Sequence, residues 1–152
     1  MKNFKLAMFT AMVAMFAAFS LKADAAGVGF INYQKVQENY SFAIQAVKEV
    51  DAKGLELQQY MVDKEKQYKS LDTPLKKKNF EDMTAREFKA KEEAYVKLKM
   101  SKEEQIYNKI QAAAKDVMVE QKLDSIVDYR VMFVGGLDVT DLVIQKLKNG
   151  KY

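Results

Sequence analysis

The 152-residue sequence has no cysteine, no histidine and one proline. Without cysteine there can be no disulfide and no thiolate metal site, so stability has to come from packing and assembly. Without histidine the commonest general base, the commonest metal ligand and the Ser-His and Cys-His nucleophile pairs are missing. A hydrolase built on carboxylates or lysine stays open, but charged residues make up 30% of the chain and recur at helical spacing, so a carboxylate pair reads first as solvated surface. No Gly-rich phosphate loop of the Walker type is present. No enzyme, catalytic residue, metal site or cofactor is expected.

Among the features present, the first is at the start of the chain. Met1-Lys2-Asn3-Phe4-Lys5 is a short positive region, an apolar run from Leu6 to Leu21 follows, and Lys22-Ala23-Asp24-Ala25-Ala26 closes it. This is the layout of a secretory signal peptide, with small residues at Ala23 and Ala25 suiting cleavage after Ala25. An uncleaved anchor would need roughly 20 apolar residues, more than this run offers. Removing residues 1–25 leaves 22 basic against 20 acidic residues and a net charge of +2. An exported chain so nearly balanced is a poor candidate for nucleic acid.

Gly27-Val28-Gly29-Phe30-Ile31-Asn32 reads as one strand, ending at an asparagine able to cap a short helical turn over Tyr33 to Asn39. A long helix is expected from Ser41. Along it Val47, Val50, Gly54, Leu57, Met61, Lys64, Tyr68 and Leu71 alternate three and four residues apart, which is a heptad seam. Gly54 would weaken the helix while letting a partner approach, and Lys64 would have to snorkel its ammonium outward. Pro74 is expected to end this helix. Thr84-Ala85-Arg86-Glu87 has the form of a capping box and is expected to start the return helix, leaving 72–83 as the tip. From Thr84 to Lys122 there is no proline or glycine, and Phe88, Tyr95, Leu98, Ile106, Ile110, Ala113 and Val117 supply the second seam. The two helices would be roughly 45 and 58 Å long, against about 35 Å for a compact globule of this size. They must project.

After Gln121 the period changes. Leu123 to Tyr129 and Val131-Met132-Phe133-Val134 are expected to form two more strands, and Asp138-Val139-Thr140-Asp141 to cap a terminal helix carrying Leu142, Val143, Ile144 and Leu147. Four segments follow: 1–25 signal peptide, 26–40 base, 41–122 hairpin arm, and 123–152 base. The fold class is mainly α with a small β base, a long antiparallel coiled-coil hairpin projecting from a small intersubunit β-sheet body. Raw sheet edges in so small a body are expected to be covered by self-association.

Val28-Gly29-Phe30-Ile31-Asn32, Leu123-Asp124-Ser125-Ile126-Val127-Asp128 and Asp138-Val139-Thr140-Asp141-Leu142, in this order around a helical hairpin, resemble the Skp/OmpH family of periplasmic chaperones. The resemblance is specific for the two ends of the mature chain and generic for the arms. It implies a periplasmic homotrimer whose arms enclose a cavity and hold unfolded outer-membrane proteins without ATP.

Two sets of residues could hold a client. Lys64, Lys66, Lys69, Lys76, Lys77 and Lys78 face only Glu65 and Asp72 within 64–78, a local excess of +4 that would attract acidic chains, lipopolysaccharide phosphates or an anionic membrane surface. Its plain alternative is a solvated helix end. Leu55, Tyr60, Val62, Met83, Val96 and Met100 are surplus to one seam per helix and are expected to line the client cavity, where methionine and tyrosine adapt to unrelated segments. Their alternative is packing on the base or a neighbouring arm. The rival functions are a structural coiled-coil envelope adaptor and a lipopolysaccharide- or membrane-surface-binding protein.

Overall fold

The computed structural model describes residues 27–150 and 152. The expected signal peptide and its cleavage site lie outside the described residues. The chain runs β1 (Gly27–Ile31), α1 (Tyr33–Glu38), α2 (Ser41–Lys69), α3 (Pro74–Glu120), β2 (Leu123–Asp128), a 3-10 turn (Tyr129–Val131), β3 (Leu137–Asp138) and α4 (Thr140–Lys148). It is mainly helical, with a small three-stranded sheet at the base of one long hairpin.

The sheet has the order β2-β1-β3, and β1 runs parallel to both neighbours. Phe30 stands beside Val127 on one side and Asp138 on the other, and an irregularity between Gly27 and Val28 leaves Asp124 without a partner. Gly29 lets Leu123 lean across β1. A Cβ there would sit 2.7 Å from the leucine side chain.

Side chains lock the two ends of the described chain together. The Asn32 side chain accepts from the Lys35 N–H at 2.9 Å and so caps α1, while the Asn32 N–H donates to Thr140 Oγ1, also at 2.9 Å. Thr140 in turn donates its hydroxyl to Asp138 at 2.5 Å, which satisfies the buried polar side chain of this junction. Lys35 reaches Asp141 at 2.8 Å. The N-cap position of α4 is Val139, which makes no side-chain cap bond, and Asp138 one residue earlier accepts from the Thr140 N–H.

The core gathers beneath the sheet. Val36, Tyr40, Ala43 and Ala46 from the first helices meet Ile106, Ile110, Ala113 and Val117 of α3, and Val139, Val143, Ile144 and Leu147 close the other side. Among the described residues none between 47 and 105 is buried. At 1.5 Å per residue α2 and α3 are roughly 43 and 70 Å long, and the surplus of α3 is the part that runs down into the base.

Four expectations are corrected. The tip is not 72–83 but the four residues Ser70 to Thr73, because Pro74 starts a helix here: it occupies the first turn, where its missing N–H costs nothing, and Thr73 Oγ1 accepts from the Lys76 N–H at 3.3 Å. The Thr84-Glu87 capping box lies inside α3, already nucleated ten residues earlier, and Thr84 Oγ1 is left buried without a hydrogen-bond partner. Residues 131–134 form no strand: the edge of β1 opposite β2 is taken by β3 at Leu137–Asp138. In the outgoing seam Val47 and Met61 are exposed, and Ala46 and Tyr60 take their places one residue earlier.

This division of packing has measurable consequences. Ile110→Ala, deep in the base, is expected to cost about 2–5 kcal/mol in urea unfolding, whereas Val96→Ala on the arm should stay within about 0.5 kcal/mol of wild type. Gly54 faces Tyr95, but a Cβ there would lie 3.5 Å from the ring, an ordinary contact. Gly54→Ala should therefore stabilise the arm by about 0.5–1 kcal/mol, and destabilisation would show that the close approach needs glycine.

Candidate functional site

The arm is the part of the molecule that the core does not explain. Its seam is narrow and partly polar. Lys64 does not snorkel outward as expected: its ammonium is 2.9 Å from Glu87 and lies over the Tyr60 and Phe80 rings at 5.2 and 5.3 Å. Tyr60 donates its hydroxyl to the same Glu87 carboxylate at 2.6 Å, and Lys91 approaches its ring at 5.1 Å. Nearer the base, Lys102 bridges the helices to Glu49 at 2.5 Å.

These contacts shift the titration of the groups that make them. The hydrogen bonds from Tyr60 and Lys64 hold the Glu87 carboxyl below its ordinary range. The bond to Glu87 pushes the Lys64 ammonium up. Burial first, and the Glu87 hydrogen bond second, push the Tyr60 hydroxyl up.

The six residues expected to line a client cavity do not form one site. Leu55 and Val62, two turns apart, border a shallow depression on α2 together with Ala52 and Gln59. Val96 and Met100, one turn apart, border another on α3 among Glu92, Glu93, Lys97 and Glu104. Met83 is exposed but borders neither, since at 100° per residue it sits about 140° around the helix from Val96. Tyr60 lines the edge of the first depression, yet its ring is committed to the seam. The arm therefore carries two small apolar patches on a charged surface.

A third apolar feature went unread in the sequence. Near the tip, Met61, Val62, Tyr68, Phe80 and Phe88 line an open groove of about 580 Å³ between the helices. Met61, Tyr68 and Phe88 had been assigned to the seams and Phe80 to the turn. The eight-residue spacing of Phe80 and Phe88 was the available signal.

The basic cluster is more neutralised than its local count suggests. Lys64 is paired with Glu87, Lys66 with Asp63 at 3.9 Å, Lys69 with Glu65 at 2.6 Å and Lys76 with Asp72 at 2.9 Å. Among the described residues Lys77 and Lys78 make no ion pair, and Lys77 lies over the Tyr68 ring at 5.5 Å. The uncompensated charge is thus at the start of α3. Among the described residues no group of three or more acidic, histidine or cysteine side chains is placed to hold a metal, and no helix is long and apolar enough to cross a membrane.

No family model matches the chain, and no curated protein matches it. Among solved structures, the chain is similar to a Caulobacter crescentus protein described as OmpH-like and as a candidate outer membrane chaperone. The identity is 13%, the TM-score 0.38, and the alignment covers 84% of this chain and 87% of the other. At that level the likeness carries no argument about function, which has to rest on the arm itself.

The Glu87 contacts generate a pH test. A carboxyl lowered in the folded state contributes above its unfolded pKa, about 4.3, and the contribution disappears as pH falls through its folded value. The stability difference between wild type and Glu87→Gln should be constant above about pH 5 and shrink on acidification. A difference that does not vary with pH would mean that Glu87 is not held as an ion. Lys64 and Tyr60, both raised, lose their contributions only as pH climbs through their folded values, so they leave the acid limb to Glu87.

Proposed function

We propose that this chain is an exported, non-enzymatic holdase that binds unfolded outer-membrane proteins in the periplasm without ATP. The observation that carries the reading is an arm with no buried residue from 47 to 105, which nonetheless displays apolar patches at Leu55/Val62, at Val96/Met100 and in the groove near its tip. A helical pair needing only stiffness would keep such residues in its seam, and exposed apolar patches on a projecting element mark interaction sites.

Several copies sharing one base, three by the resemblance to the Skp/OmpH family, would set these patches around a common space. Contacts individually worth about 1 kcal/mol or less become useful when several arms present them together. Capture can then be firm while each contact stays exchangeable. Release follows when insertion of the client into the membrane removes its exposed surface. The adaptor reading calls for a continuous apolar seam, and Lys64, Glu87 and Lys102 interrupt the one present. Lys77 and Lys78 favour a first encounter with acidic chains, and the same charges would also serve lipopolysaccharide or an anionic membrane.

A urea-unfolded outer-membrane β-barrel diluted into buffer without ATP should scatter much less light when the protein is in several-fold molar excess; unchanged aggregation would remove the holdase reading. Lys77→Gln with Lys78→Gln should slow capture at low salt and leave it unchanged at high salt, while Lys69→Gln, already paired, should do less. Equal effects of all three would mean that the tip acts by total charge. Stronger binding to lipopolysaccharide than to the unfolded barrel would favour the surface-binding reading.

A further inference from the structure

Five of the nine methionines lie among the described residues, and the fold sorts them. Met118 and Met132 are half-buried in the base. Met61, Met83 and Met100 stand on the arm, exposed by 45, 46 and 64%. Two of these three belong to its apolar surfaces: Met61 lines the groove near the tip with Phe80 and Phe88, and Met100 borders the α3 depression with Val96. Met83 borders neither of them, nor the depression at Leu55 and Val62. That last depression contains no methionine.

The thioether is the side chain of this protein that a two-electron oxidant attacks most readily, because there is no cysteine to consume the oxidant first and no tryptophan. With hydrogen peroxide the sulfur lone pair attacks one oxygen, and the O–O bond breaks as the S–O bond forms. Sulfur is oxidised by two electrons, the peroxide is reduced to water, and no further reagent is consumed. The product, methionine sulfoxide, is polar where the thioether was apolar. Covering it with an apolar segment removes its dipole from water without a partner, which is unfavourable. In a packed core such a change would threaten the fold. No residue from 47 to 105 is buried, so on the arm it alters the surface and leaves the helices in place. A leucine at the same positions would offer similar apolar area and be inert, as Leu55 is.

We propose that Met61 and Met100 are reversible modification sites: a peroxide converts them to sulfoxides and weakens the hold of the arm on its client, and a methionine sulfoxide reductase, taking two electrons from thiols, removes the oxygen as water and restores it. The proposal rests on the holdase reading and adds a means of control to the same surfaces. Several arms acting together make the response steeper, since each oxidised patch lowers a contact that the others depend on. Met83 supplies the contrast. It is as exposed as Met61 and oxidises with it, but it lies outside the patches, so its sulfoxide leaves holding unchanged.

The protein is treated with hydrogen peroxide, and peptide mass spectrometry should place the added oxygen, about 16 Da per sulfur, on Met61, Met83 and Met100 ahead of Met118 and Met132. Helical circular dichroism should not change. Suppressing aggregation of a urea-unfolded outer-membrane β-barrel should then take roughly threefold more protein, and the two epimer-specific sulfoxide reductases with dithiothreitol should reverse the loss. Each variant is compared with its own untreated sample. Met61→Leu with Met100→Leu should abolish the effect of peroxide, and Met83→Leu should keep it. Oxidation of Met61 and Met100 with no loss of holding would overturn the proposal, as would a loss that persists in the double variant. Should the untreated protein hold no barrel, the holdase reading falls. The change at the patches is then read from the fluorescence of bound anilinonaphthalene sulfonate, which should drop on oxidation of the wild type and not of the double variant. An equal drop in both, or none in either, would overturn the assignment of these sites.

Discussion

Two parallel strands cannot be joined by a tight turn, and in this chain the parallel neighbours β1 and β2 stand at opposite ends of a connection running from 32 to 122. That pairing is the constraint on which the architecture depends. It brings the end of the long return helix to the start of the outgoing one, and it makes the whole hairpin a single crossover. An ordinary crossover lies back on its sheet. This one does so only over the end of α3 that carries Ile106, Ile110, Ala113 and Val117, and the remainder is free to project.

Energetically the molecule is divided at that point. The base has close packing, a satisfied Asn32-Thr140-Asp138 network and buried side chains from five elements. The arm has a half-buried seam in which lysine and glutamate sit beside tyrosine and phenylalanine. A polar contact of this kind fixes register more than it adds stability, and a helix pair so held opens locally more readily than a packed core. An arm meant to enclose unrelated chains would benefit from both properties. The pairing of Lys64 and Tyr60 with Glu87 keeps the two helices aligned, and the thin seam lets them separate or bend.

Much of the base was legible in the sequence because its signals are local and chemically specific: Asn32 as a cap, the change of period after Gln121, and the Asp138-Asp141 turn ahead of an apolar helix. The return seam was legible at its base end, where Ile106, Ile110, Ala113 and Val117 recur three and four residues apart, and less so along the arm, where its spacing breaks. The misreadings share one physical cause, which is that each depended on a partner the sequence does not identify. Pro74 could stop one helix or start another, and Thr73 decided for the second. The heptad spacing puts Met61 in the seam and leaves Tyr60 to the client cavity, but Glu87 opposite gives the tyrosine a hydrogen bond and draws it into the seam instead. Residues 131–134 have strand character, but a strand needs a free edge beside it and β3 had taken the one on β1. In the candidate site, helical spacing found Val96 with Met100 and Leu55 with Val62, but not that Met83 faces elsewhere or that four aromatic and methionine side chains open a groove at the tip.

The central claim is that the base holds the molecule together while the patches on the arm hold the client. Amide hydrogen exchange with and without a bound unfolded outer-membrane protein addresses it directly. In the free protein, amides of α1, α4 and the base end of α3 should exchange slowly and those between 47 and 105 much faster. On binding, protection should rise around 52–63, 80–88 and 92–104 and change little in the base. Protection that appears in the base instead, or none in the arm while aggregation is suppressed, would contradict the account.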